Sequence, residues 1–146
     1  MNETERFYEF SGLVSAAYKA LRRAQEKYTR EFGLRSVHVA CMLHLLGAPE
    51  GLSATELSER CGVDRAQISR VTGELERAGL ICEAVPGEKR RYRGPLALTD
   101  TGREKAAQMN SIVAEKLAAV SAELNPYDVN VFYRVLRAVV AKLGEV

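Results

Sequence analysis

Apolar residues recur at steps of three and four along most of this chain, and the places where the step breaks divide it into elements. From residue 4 to about residue 32, Phe7, Phe10, Val14, Ala17, Tyr18 and Leu21 form one stripe between charged positions, which predicts a long helix ended by Gly33. Ser36 is the expected cap of VHVACMLHLL, a segment apolar nearly all round and therefore central, and GAPEG breaks it. Ser53 with Glu56 three residues on predicts a capped short helix over Ala54–Cys61, with Leu57 turned inward beside Ala54 and Cys61. Gly62 and Val63 read as a tight turn. Asp64 then caps the next helix, with Gln67 in the reciprocal position of a capping box and Gly79 as the left-handed terminator.

Beyond Gly79 the period changes. ICEAV has strand content and PGEK is a turn. RRYRGPLAL returns as a second strand that Gly94 and Pro95 make irregular, as on an edge or at a bulge. Thr99 caps a helix running to about Val120. Asn125 caps the last one, with Pro126 at its first position, Asp128 near its N-terminal dipole, and Val129, Phe132, Val135, Leu136, Val139 and Leu143 on one face. The expected fold is mostly α with a small β-wing, a winged helix-turn-helix framed by helices at both ends. A long first helix that begins so near the terminus cannot be covered by 146 residues alone, so a partner chain is expected over it.

Composition bounds the function. The chain is 47% hydrophobic and 27% charged, which suits a packed core under a soluble surface. No apolar run reaches the roughly 18 residues that span a bilayer, and MNETERFYEF lacks the basic and apolar regions of a signal peptide, so a cytoplasmic protein without a membrane role is expected. Three widely spaced cysteines, Cys41, Cys61 and Cys82, argue against a disulfide framework, and Cys61 and Cys82 read as small apolar fillers. There is no Gly-rich phosphate loop, catalytic dyad spacing or zinc motif, so neither an enzyme nor a cofactor is expected. Net charge is only +2, but Arg65, Arg70, Arg77, Lys89, Arg90, Arg91 and Arg93 face just Glu74, Glu76, Glu83 and Glu88 in one segment, a local surplus suited to an acidic partner.

The helix after Asp64 carries the candidate chemistry. At about 100° per residue, Ile68, Val71 and Leu75 share the inward side. Ala66, Ser69, Arg70, Gly73 and Arg77 share the other, with Arg65 and Gln67 on its flanks. Arginine forks onto guanine, glutamine pairs with adenine, serine bonds a base or a phosphate, and small Ala66 and Gly73 let a backbone approach a duplex. A polar outer face is also what any amphipathic helix shows. The ribbon that follows strengthens the DNA reading, because Lys89, Arg90, Arg91 and Arg93 crowd beside its Pro-Gly turn, where cations reach phosphates or a minor groove.

The stretch LSATELSERCGVDRAQISRVTGELERAGLI, the basic wing, and LALTDTG opening a long helix resemble the MarR family of bacterial transcription regulators, and the flanking helices extend the resemblance over essentially the whole chain. The resemblance implies a homodimer on a pseudo-palindromic site in double-stranded DNA, most often a repressor. It implies dimerisation helices at 1–34 and 121–146, a winged helix-turn-helix DNA-binding region at 35–99, and a linking helix at 100–120 shared with the dimerisation region. The implied DNA contacts are Arg65, Ala66, Gln67, Ser69 and Arg70, with Ser53 near a phosphate. In the wing, Glu88-Lys89-Arg90 stands where the family carries Asp-x-Arg, so Arg90 is the implied minor-groove arginine, flanked by Lys89 and Arg91, although it lies farther from Leu98-Thr99 than the family pattern has it.

The resemblance also implies a small-molecule effector pocket, for an aromatic acid in many members, lined here by Tyr18, His38, Cys41 and Met42. Relatives that sense peroxides do so with a cysteine on the first helix, and this chain has none there. Two alternatives remain: a winged-helix protein-interaction module that does not touch DNA, and a thiol- or metal-responsive sensor using Cys41 with His38 and His44. Three-residue steps spread those groups around the helix, so one metal ion cannot take all three without strain, and no metal site is expected.

Overall fold

The computed structural model describes residues 1–85 and 94–145, apart from the Tyr28 side chain. Its elements run α1 (Glu3–Phe32), α2 (Ser36–Leu46), α3 (Ala54–Cys61), α4 (Arg65–Arg77), β1 (Ile81–Glu83), β2 (Leu96–Leu98), α5 (Asp100–Ser121) and α6 (Pro126–Leu143). The chain divides into two compact units, Met1–Met109 and Asn110–Val146.

Local chemistry sets most boundaries. α1 opens on a capping box that the sequence reading did not anticipate, in which the Asn2 side chain takes the Glu5 N–H at 2.8 Å and the Glu5 carboxylate takes the Asn2 N–H at 2.9 Å. Gly33 ends it at φ 66°. The start of α2 is corrected by one residue: Ser36 is its first helical residue and Arg35 is the N-cap, because His38 reaches back and its Nδ1 accepts the Arg35 N–H at 3.1 Å. The Ser53–Glu56 box before α3 forms both ways, at 3.1 and 2.8 Å. Asp64 accepts the Gln67 N–H at 2.7 Å, but only this half of the expected α4 box is made. α4 closes with the Leu80 N–H on the Leu75 carbonyl and the Gly79 N–H on the Glu76 carbonyl, Gly79 taking φ 73°.

The first unit has one core. Val39, Cys41, Met42 and Leu45 of α2 pack with Leu57, Ile68, Val71, Leu75, Leu80, Ile81, Leu96, Leu98, Ala106 and Met109. The wing base belongs to it. β1 and β2 pair antiparallel with Ile81 opposite Leu98, every residue of β2 is buried, and Leu52 joins as a third rung by exchanging bonds with Leu96 at 2.9 and 2.8 Å. Among the described residues the return strand of the expected RRYRGPLAL is Leu96–Leu98, with Pro95 just before it accepting the Ala84 N–H, and Arg90–Arg93 lie outside the described residues. Cys82 is exposed on β1 and is not the apolar filler expected from its composition alone.

Two close approaches demand glycine. A Cβ on Gly51, at φ 94°, would press on the Leu96 carbonyl and Ala84, and a Cβ on Gly102 would fall onto the Leu80 carbonyl. Thr99 completes the second contact. Its hydroxyl donates to the Gly79 carbonyl at 2.6 Å and accepts the Gly102 N–H at 3.0 Å, so the LTDTG segment ties α5 to the end of α4.

Apolar side chains are left uncovered in both units. Phe7, Leu13, Val14, Tyr18 and Leu21 are exposed on α1. On α6, Phe132, Tyr133, Val135, Val140 and Leu143 are exposed and no residue is buried. Among the described residues no helix is long and apolar enough to cross a membrane.

Candidate nucleic-acid interface

α4 separates its two faces as its period requires. Ile68, Val71, Thr72 and Leu75 are buried, and the buried Thr72 hydroxyl is satisfied by donating to the Ile68 carbonyl at 2.9 Å. Arg65, Ala66, Ser69 and Arg70 are exposed and Gln67 is half-buried. Among the described residues no carboxylate pairs with Arg65 or Arg70, so their guanidinium donors are open to solvent. Ser53 sits at the N-terminus of α3, its hydroxyl oxygen accepting the Glu56 N–H at 3.1 Å. Lys89, Arg90 and Arg91 lie outside the described residues.

A tie that the sequence reading missed holds α4 from behind. Glu74, on the flank of α4, accepts from the Arg35 guanidinium at 2.8 Å and lies 2.6 Å from His38 Nε2. Since Nδ1 of His38 accepts the Arg35 N–H, the ring proton belongs on Nε2, and a neutral His38 donates it to Glu74. The two donors, His38 first and then Arg35, hold the Glu74 carboxyl below the usual carboxylate range. The partners stand 36 and 39 residues from Glu74, and no local spacing announces them.

A cleft of about 390 Å³ opens in the same unit, lined by Tyr18, Arg22 and Gln25 of α1, Ser36, Val37 and Ala40 of α2, the turn Cys61, Gly62 and Val63, and Gln67 of α4. Tyr18 lines it, with Arg22 stacked over its ring at 5.9 Å. His38, Cys41 and Met42 do not line it. The structure turns those three into the core, because α2 presents Ser36, Val37 and Ala40 to the cleft and uses its opposite side for packing. Arg22 and Gln25 were overlooked because on a charged helix they read as solvated positions. Among the described residues no group of three or more His, Cys, Asp or Glu side chains could hold a metal ion, and His44 does not join His38 and Cys41 at one.

A sequence model of the MarR family matches residues 32–91, the segment that holds α2, the helix-turn-helix and the start of the wing. That segment is similar to the MarR family, and the whole chain shares the winged-helix fold of MarR-family proteins. It is 38% identical over 77 residues to the HTH-type transcriptional regulator Rv1719 of Mycobacterium tuberculosis, a match that takes 51% of this chain and 27% of that protein, so the chain spans well under half the length of that relative. The MarR family protein Rv2887 of M. tuberculosis is 26% identical, with a TM-score of 0.60 over 89% of this chain and 92% of its own. The MepR–DNA complex of Staphylococcus aureus shares the fold at a TM-score of 0.77 and 16% identity, over 92% and 97% of the two chains.

Within this MarR fold the residues singled out from sequence fall into three groups. Arg65, Ala66, Ser69 and Arg70 share one exposed face, with Gln67 at its edge toward the cleft and Ser53 at the head of the supporting helix. Tyr18 stands in the cleft, while His38, Cys41 and Met42 form the packed layer behind it.

Proposed function

We propose that this protein is a sequence-specific DNA-binding regulator, probing double-stranded DNA with α4 and acting as a homodimer on a pseudo-palindromic site. The observation that carries this reading is the exposed face of α4, where two arginines that pair with no carboxylate among the described residues stand beside Ser69 and the small Ala66. Such a face meets base edges in a major groove, with Arg70 and Arg65 as candidate guanine readers, Gln67 as an adenine reader and Ser69 bonding a base or a phosphate. Ser53 donates its hydroxyl to a phosphate, and Arg90, flanked by Lys89 and Arg91, reaches toward the minor groove. That MepR has been seen bound to DNA in this fold supports the assignment.

The exposed apolar faces of α1 and α6 support the homodimer, since monomeric proteins seldom leave so many large apolar side chains in water. The regulator acts as a cytoplasmic repressor wherever its site overlaps a promoter. A small aromatic acid held between Tyr18 and Arg22 is the proposed effector. Gln67 lines the cleft and edges the DNA-facing surface, so a ligand that prefers one placement of α4 shifts DNA affinity by its differential affinity for the two placements.

The test is fluorescence anisotropy against DNA from upstream of the protein's own gene, with random DNA as control, across a salt series. Tighter binding to the upstream fragment at two chains per site, falling steeply with salt, is expected. In Arg70→Ala the specific affinity falls more than the non-specific, by about tenfold or more. Equal losses on both DNAs would reduce Arg70 to a phosphate contact. Equal and salt-insensitive binding to both DNAs by the unmodified protein would refute the reading.

A further inference from the structure

Cys41 and Cys61 are 20 residues apart in sequence, on different helices, yet their sulfurs stand 3.5 Å apart. Cys41 is fully buried in α2, whereas Cys61 ends α3 half-buried and lines the open cleft. The pair is therefore asymmetric, with one sulfur sealed in the core and the other within reach of a small molecule entering between α1 and α2. Immediately after Cys61 come Gly62 at φ 66°, Val63, and Asp64, the N-cap of α4.

We propose that Cys41 and Cys61 form an oxidation site for peroxides, closing to an intrachain disulfide that repositions α4 and changes DNA affinity. The second half of this rests on the DNA-binding reading above. Cys61 is the attacking sulfur. The Cys41 S–H bonded to it lowers its pKa, while the same bond and burial raise that of Cys41, so thiolate collects on the half-buried member that lines the cleft. The Cys61 thiolate attacks the O–O bond of a peroxide ROOH and keeps one oxygen as sulfenic acid. The departing alkoxide takes up the proton that Cys61 gave up and leaves as ROH. Cys41 then attacks the Cys61 sulfur: the S–S bond forms, the S–O bond breaks, and hydroxide leaves with the Cys41 proton as water. Two thiols are oxidised by two electrons, and the peroxide is reduced to ROH and water.

The disulfide acts on α4 through geometry. A covalent bond must draw the sulfurs closer than their present 3.5 Å, and α2 is held in the core, so the end of α3 is the part that yields. Its turn is fastened to α3 by the Val63 N–H on the Ser58 carbonyl and by the Ser58 hydroxyl on the Val63 carbonyl. Movement of Cys61 is thus passed directly to the residues that present α4.

The experiment treats the full chain with hydrogen peroxide and, separately, with tert-butyl hydroperoxide. Free thiols are counted after denaturation, and peptides are mapped by mass spectrometry without reduction. Two of the three thiols should disappear, with a Cys41–Cys61 linked peptide and Cys82 still free. Cys82→Ser should change neither result, and Cys61→Ser should abolish the link. Anisotropy on the upstream fragment should then show a change of roughly five- to a hundredfold between reduced and oxidised protein, reversed by dithiothreitol and absent in Cys61→Ser. Oxidation confined to Cys82, or no linked peptide at all, overturns the site. A linked peptide with unchanged DNA affinity overturns its regulatory role. A linked peptide in a protein that binds no DNA specifically even when reduced overturns the DNA-binding reading and leaves the oxidation site standing.

Discussion

Gly102 shows how much one position can decide. Its Cα faces the Leu80 carbonyl so closely that any Cβ collides with backbone, which has no rotamer by which to escape. Gly102→Ala should therefore destabilise the protein by about 3 kcal/mol, read as a lower urea midpoint with the slope unchanged. A midpoint within experimental error of the unmodified protein would mean that the α5–Leu80 contact is looser than described. Glu74 decides by charge. Its folded pKa is depressed by His38 and Arg35, so the stability it contributes is fully present above the ordinary glutamate pKa of about 4.3 and is lost as pH falls through the lower folded value. Glu74→Gln should remove that part of the acid-limb dependence in pH-resolved denaturation. An unaltered acid limb would show that the tie carries no linkage.

Among the elements, the pair α3–α4 depends on its caps. Ser53 both caps α3 and is proposed to meet a phosphate, and two substitutions separate these roles. Ser53→Ala removes the cap and should lower stability by about 1 kcal/mol. Ser53→Asp keeps a good cap but sets a carboxylate against the phosphate, so stability should hold while DNA affinity falls. Undiminished DNA binding by Ser53→Asp would remove Ser53 from the interface. The start of α2 shows why a cap drawn from residue preference can miss: Ser36 is a good cap by type, yet His38 satisfies the Arg35 N–H and is itself anchored by Glu74. The winning contact comes from another helix.

For the whole molecule, the uncovered apolar faces of α1 and α6 call for a partner. Phe132 and Val135 on α6 are more than half exposed, as are Leu13 and Leu21 on α1. In the proposed homodimer they are covered, so Phe132→Glu should shift the sedimentation-equilibrium mass from two chains toward one while circular dichroism holds its helical signal. A mass of one chain for the unmodified protein would refute the dimer. The exposed pattern on both helices was legible as stripes in the sequence, because a partner-covered face carries the same period as a core-facing one. For the same reason the stripes could not say which face is covered from within the chain.

Period, caps and glycines specified the order of elements and nearly all their ends, as at Ser53–Glu56, Asp64, Gly33 and Gly79, since these signals act over three or four residues. They also placed Arg65, Ala66, Ser69 and Arg70 on one outward face, because that follows from helical geometry once Ile68, Val71 and Leu75 turn inward. Contacts between residues far apart in the chain were another matter. The Glu74 tie, the inward turn of His38, Cys41 and Met42, the cleft between Arg22 and Gln67, and the meeting of Cys41 with Cys61 each depend on how two helices pack. A helix's own sequence records which positions are apolar, and only the packed neighbour determines which side chain meets which.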